Sequence, residues 1–445
     1  MMLCVLNLIL AADFKEYWQR MKENRLVHLI IAFYLLHVIS LFWSTNLSYG
    51  LNDLRIKAPL LVIPIILIAK PISREKQNWL YLLLLLSLLI TSIINLCYFQ
   101  FALRSNIAID IRELSLFGSH IRYGIIMAMG FAACVFLYLE QKRHRFIYLF
   151  IGAWFIFYTY YSQVLSGLLT FLVVIVILGL LRLRTSRWIL LSALLIGSMA
   201  AITVGIFIFK PKNSAPAKSY NSKEIGIAWK KRSLFVFDSL DLKKQVLRTT
   251  LIRYLDSKDL PRTALGVEQL EDKDIRNIEN GYADVHETGF GLLARLYGIR
   301  YQMQHPNNPN GHSLLQRIEA WKTAAEISKE HWLIGTGIGD VADEFEKKYA
   351  INKSLLIKEN RIRAHNSYLT FCLSFGILGF FLFIYLQIAF FKEQLKELNY
   401  LGILFTGIAA VSFLLEDTLE TQTGVSFFAF FYGLYATKKA RLNAN

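Results

Sequence analysis

Residues 79–101 read WLYLLLLLSLLITSIINLCYFQF, a run with no charged side chain. A helix needs roughly 20 such residues to cross the hydrocarbon of a bilayer. The apolar positions neither alternate nor recur at intervals of three and four, so no face is reserved for water. A segment of this kind has to satisfy its own backbone hydrogen bonds, which in hydrocarbon means a helix.

Nine more stretches of similar character flank it: residues 26–43, 51–69, 120–139, 146–161, 164–181, 188–209, 367–391, 398–415 and 424–436. The second of these contains Pro59 and Pro64, which predicts a kink whose freed carbonyls neighbouring helices must satisfy. Residues 1–12 are apolar but too short to span, and they show neither the basic start nor the cleavage pattern of a signal peptide. Composition agrees with this reading. Of 445 residues, 55% are hydrophobic and only 18% charged, with a mean hydropathy of +0.39. A soluble chain of this size carries about 25% charged residues. The expected fold is an all-α, polytopic transmembrane helix bundle, divided into residues 1–209, a hydrophilic segment 210–364, and residues 365–445. The four cysteines, Cys4, Cys97, Cys134 and Cys372, have no paired spacing, so no disulfide framework or zinc site is readable.

The formal charge of +16 raises the question of nucleic acid, but its distribution answers otherwise. Eighteen Lys and Arg lie in the connections holding Lys15, Arg74, Arg143, Arg184, Lys392 and Lys438 and in the two ends of the chain; the opposite short connections hold five, Arg55, Lys57, Arg104, Arg112 and Arg122. The positive-inside rule predicts a cytoplasmic N-terminal segment and C-terminus, and an extracytoplasmic residue 210–364 segment. No nucleic-acid partner is needed to explain the charge.

That long segment carries 26 Lys and Arg against 20 Asp and Glu. It is longer than a bundle needs for a connection, and such loops are usually functional. Apolar Ile318, Trp321 and Ala325 recur at helical spacing, which predicts an amphipathic helix over residues 313–328 lying on the membrane or on the bundle. Gly335, Gly337 and Gly339 then break the chain, and Asp340 is expected to cap a second helix over residues 341–349. Residues 212–310 show no readable architecture.

Several clusters could carry chemistry. In RIRAHNSYL, Arg361, Arg363 and His365 crowd the start of a span. An imidazole at a water boundary is ordinarily just a satisfied interfacial group. Beside two guanidinium groups it also combines phosphate binding with proton exchange. Arg317, with Trp321 one turn on, reads on its own as cation–π packing or a solvated helix face, and otherwise as an anion-binding residue. Arg122, near His120 at the start of a span, either snorkels or faces the bundle interior. Glu416, Asp417 and Glu420 form an acidic connection with the same ambiguity. The GTGIGD run is not a dinucleotide loop, because no strand precedes it; it is expected to be a tight turn between helices.

The segments QRIEAWKTAAEI, GTGIGD and RAHNSYLTFCLSFGILG together resemble the C-terminal signature of the O-antigen ligase and polymerase superfamily. Its order is an Arg, a Trp four residues later, a glycine-rich turn, then His-Asn opening a helix with a Gly after ten intervening residues; Arg317, Trp321, His365 and Gly376 fit. SHIRYG and EDTLETQTGVSFFAFF also look like the family. The resemblance implies a GT-C-like glycosyltransferase of the bacterial inner membrane, metal-independent and inverting, with no cofactor. It implies a donor glycan on undecaprenyl diphosphate and an acceptor, the lipid A core in ligases, meeting at the periplasmic face among membrane lipids. On this reading His365 and Arg317 are catalytic, His365 as base, and Arg122, Arg363 and Arg361 hold the donor diphosphate. A polymerase or a protein O-oligosaccharyltransferase would need similar residues. A lipid-linked glycan transporter would instead show charges within its spans and internal repeats, neither of which is seen. One position departs from the family. Where members commonly carry an Arg four residues before a Leu, Leu165 precedes Leu169. Either activity is lost with that cation or another cation takes its place.

Overall fold

The computed structural model describes residues 13–104, 111–141, 145–181, 221–242, 245–285, 299, 309–310 and 313–437. Among the described residues all regular elements are helical, and the only β feature is an isolated bridge between Leu240 and Val246. Nine of the ten expected spans coincide with helices; residues 188–209 and the stub 1–12 lie outside the described residues.

The first part of the chain forms α1 (Phe14–Glu23), α2 (Arg25–Ser40, extended by a 3-10 turn to Trp43), α3 (Leu47–Lys57), α4 (Pro59–Ala69), α5 (Arg74–Arg104), α6 (His120–Glu140), α7 (Arg145–Tyr161) and α8 (Leu165–Leu181). The last part forms α15 (Ser367–Lys396), α16 (Tyr400–Leu415) and α17 (Gln422–Ala436). Four helices, the α2 run, α5, α6 and α15, are long and apolar enough to cross a membrane, and α8 and α16 are shorter apolar helices. The protein is a multi-pass membrane protein built as a helix bundle. One apolar core joins both parts of the chain, with α2 and α4 packed on α15 and α17, and α16 packed on α6 and α8.

Small residues set the closest crossings, as they do where helices must approach in lipid. A Cβ on Gly167 of α8 would lie 3.1 Å from the Cα of Gly124 on α6, so the first turns of these helices touch backbone to backbone. Gly433 of α17 has the same relation to Pro64 of α4, with its Cβ position 3.1 Å from the proline Cα. Lower down, the Cβ position of Gly407 on α16 faces Ile177 and Val173 of α8. Val173 is about 12 Å along α8 from Leu165, and Gly407 about 12 Å along α16 from Leu415, at 1.5 Å per residue. The start of α6, the start of α8 and the end of α16 therefore share one end of the bundle.

The segment expected to be one kinked span, residues 51–69, is two helices. Pro59 occupies the first position of α4, where its missing N–H is no loss, and only α4 is continuously apolar. In α3, Asp53 and Lys57 are turned inward and buried.

The segment after residue 220 contains two separate helical units. The helices α9 (Ser222–Lys230), α10 (Leu247–Ser257), α11 (Ala264–Glu268) and α12 (Asp272–Glu279) close around their own core, in which Trp229, Leu251, Tyr254, Val267 and Ile278 are fully buried. Helices α13 (Ser313–Glu330) and α14 (Val341–Ile351) form a hairpin packed on the start of α15 through Ala320, Ala324, Val341, Phe345 and Leu373. The amphipathic helix expected at residues 313–328 thus lies on the bundle.

Between α13 and α14 the glycine-rich turn is inserted against a break in α15. Gly376 has φ +65°, outside helical geometry, and the bonds lost there are replaced. The Ile377 N–H donates to the Trp332 carbonyl at 2.8 Å, while the Leu373 and Ser374 carbonyls accept from Thr336 and Gly337 N–H at 2.8 and 3.0 Å. Broken backbone at membrane depth is tolerated only when protein satisfies it in this way. The approach admits no side chain on either partner, because a Cβ on Gly335 would lie 2.4 Å from the Phe375 nitrogen and one on Gly376 2.3 Å from the Leu333 carbonyl carbon. Asp340, in turn, does not cap α14 with its side chain. Its carboxylate accepts from the N–H groups of Thr45 and Asn46, both at 2.8 Å, and so ties the turn to the loop before α3. An aspartate is drawn to whichever orphan N–H groups lie nearest, and those at the start of α3 are closer than those of its own helix.

Candidate active site

His365 is the last residue before the cap of α15, and it sits in the left-handed region with φ +45°. Non-glycine residues hold such a conformation only where their surroundings enforce it. Here the neighbours on both sides are fixed. The Trp321 indole N–H donates to the Ala364 carbonyl at 2.7 Å. Asn366 caps α15 by accepting from Leu369 N–H, and its own N–H donates to Asp417 at 3.1 Å. Trp321 therefore positions the histidine backbone, a role that its helical spacing alone did not show.

The result aims one imidazole nitrogen at two carboxylates. Nδ1 of His365 is buried and makes no hydrogen bond, and it stands 3.8 Å from both Glu416 Oε2 and Asp417 Oδ2. That is long for a hydrogen bond and short for electrostatic orientation; catalytic contacts often tighten only with substrate bound. The side chain is 37% exposed, so the rest of the ring reaches the surface. Asp417 is steadied by the Thr370 hydroxyl, which donates at 3.0 Å, and Ser367 donates to the Glu416 carbonyl at 2.9 Å.

The two carboxyls are driven in opposite directions. For Glu416, burial works to raise the pKa, but His365 and the Arg317 charge outweigh it and hold it below the usual carboxylate range. For Asp417, burial prevails over Arg363 and raises it. Such separation is a mark of sites that handle protons.

Arg317 on α13 donates to Glu416 at 2.6 Å and to the Leu415 carbonyl at 2.7 Å, which settles the choice between packing on Trp321 and binding a charge at the end of α16. Arg363 donates to Glu420 and to the Tyr49 hydroxyl, both at 3.1 Å. Glu420 also accepts from Lys57 at 2.7 Å, and Lys57 is bound in turn by Asp53 at 2.6 Å. The loop between α16 and α17 is thus clamped at three carboxylates. Arg361 is not brought to this cluster: it pairs with Glu346 at 2.9 Å and lies over the Tyr349 ring.

Arg122 differs from all of these. It lies in the first turn of α6. Its Nε is buried with no hydrogen-bond partner, and it forms no ion pair among the described residues. The acidic loop was the part of the site that the sequence left ambiguous. Its signals were three carboxyls in a short connection and a likeness to the family, with nothing to show that they face the histidine and arginines from distant segments.

A protein-family profile described as O-antigen ligase matches residues 150–384. That match takes in α13, the glycine-rich turn, His365 and the break at Gly376, the same parts that the geometry joins. No curated protein matches the chain closely enough to carry an argument. The profile spans more than half of the sequence, and the chain belongs to the O-antigen ligase family.

Proposed function

We propose that the protein transfers a glycan from undecaprenyl diphosphate to the lipid A core, or to another glycan acceptor, at the periplasmic face of the bacterial inner membrane. Family membership supports glycan transfer of the ligase or polymerase type. The observation that carries the finer reading is the pairing of His365 Nδ1 with Glu416 and Asp417. With Nδ1–H turned toward the carboxylates, Nε2 is left as an acceptor for the proton of an acceptor hydroxyl. The hydroxyl oxygen forms a bond to the anomeric carbon, the bond from that carbon to the diphosphate oxygen breaks, and the electron pair leaves on the diphosphate. A single displacement of this kind inverts the anomeric centre. Because the diphosphate departs as a stable anion, the reaction needs fixed positive charge more than a general acid.

In this reading the arginines divide the work. Arg317 and Arg363 hold the two glutamates in place, so they act mainly on His365 and its carboxylates, and each retains N–H groups that an incoming phosphate can share. Arg122 has no carboxylate partner among the described residues and is the better diphosphate ligand. Because the starts of α6 and α8 share one end of the bundle, Arg122 is our candidate for the cation that replaces the arginine missing at Leu165. Arg361 is assigned to the α14 hairpin.

The test is deletion of the gene followed by gel analysis of the surface glycolipid. Loss of the long-chain ladder with a normal core supports ligation, and core carrying a single repeat supports polymerisation. An unchanged profile contradicts both.

A further inference from the structure

A cavity of about 460 Å³ opens between the end of α2, the turn after α13 and the start of α14. It is separate from the His365 cluster and falls within the about 300–1,000 Å³ range of small-molecule sites. Two indoles line it, Trp43 and Trp332. Trp332 is 61% exposed although its backbone is pinned to the break in α15, so the fold presents a rigid, uncovered ring. The polar wall consists of Glu330, His331, Glu344 and Lys347.

The wall chemistry narrows the ligand. The one lysine is paired with Glu344 at 2.6 Å, and Glu330 is paired with Lys348 while remaining half exposed. With Glu330, Asp340 and Glu344 against one lysine, the wall is net acidic and disfavours an anion. A hydrocarbon tail would desolvate the carboxylates with no return. A sugar ring fits both halves, since its C–H face lies on an indole and its hydroxyls donate to carboxylates. We infer that this cavity is a saccharide subsite, which grips a glycan unit away from the reacting carbon. The inference rests on the glycan-transfer reading above and adds to it where the sugar chain is held.

The probe is oligosaccharide released by mild acid from the surface glycolipid of the host strain, separated into O-chain and core fractions and titrated calorimetrically against the purified full chain. One fraction is expected to bind wild type and His365→Ala equally, and which fraction binds tells whether the subsite serves donor or acceptor. Trp332→Ala should weaken that binding about tenfold, the scale of a lost stacking contact. Trp43→Ala removes the second indole of the lining and should cost about threefold to tenfold. Wild-type binding of neither fraction, or unchanged binding by both tryptophan variants, overturns the subsite. So does a Trp332-dependent signal with phospholipid vesicles in place of sugar. The glycolipid ladder of a His365→Ala strain reports on transfer separately, so either idea can fail while the other stands.

Discussion

The arginines at the working end of the bundle stand in two kinds of surroundings. Around His365, the cations Arg317, Arg363 and Lys57 face the four carboxylates Glu416, Asp417, Glu420 and Asp53. At the start of α6, Arg122 stands with a buried, unpartnered Nε and no ion pair among the described residues. The first arrangement is neutral to slightly acidic and rigid, suited to orienting an imidazole. The second is an unspent positive charge, suited to an anion. Basic residues therefore stand in different surroundings, and the difference comes largely from acids supplied by the loop between α16 and α17.

The largest effect is expected where that loop is anchored. Lys57→Met leaves Asp53 buried without its partner and Glu420 with Arg363 alone, and breaking a buried pair in this way typically costs about 3–5 kcal/mol. Thermal unfolding in detergent should show a large drop in Tm, whereas an unchanged Tm would mean the clamp does not hold the loop. Next comes Arg122→Ala, which removes charge-assisted bonds worth about 1.5–3 kcal/mol each and should weaken donor binding about tenfold to a hundredfold. Arg122→Lys should restore part of it. If instead Arg317→Ala has the larger effect on donor affinity, the contrast between the two kinds of arginine is wrong.

Smaller effects sharpen the acid side. Asp417→Asn and Glu416→Gln should each lower kcat about tenfold by loosening the imidazole, while leaving the donor KM near its original value. A change in KM alone would assign these carboxylates to binding. The smallest effect belongs to Arg361→Ala, whose surface pair with Glu346 is worth about 0–1 kcal/mol. Both transfer rate and Tm should stay close to wild type.

The sequence made the bundle legible because uncharged runs such as residues 79–101 leave the backbone one option. It also marked His365, Arg317 and the glycines, yet it could not say what they touch. Asp340 occupies a cap position and bonds elsewhere, because the N–H groups that claim it belong to a loop almost 300 residues away. The helices α9–α12 were unreadable because they are 5 to 11 residues long and gain their stability from one another, not from local periodicity. Gly376 showed only as a spacing; the reason for it is the backbone of a second segment passing within bonding distance.

The central claim is that His365 moves the acceptor proton while other residues hold the donor. Its most direct test is donor affinity and transfer rate measured together on a folded, membrane-inserted His365→Ala protein. The account predicts transfer reduced by about a hundredfold or more, with donor affinity close to wild type. Transfer at the wild-type rate, or loss of donor binding in step with transfer, would contradict it.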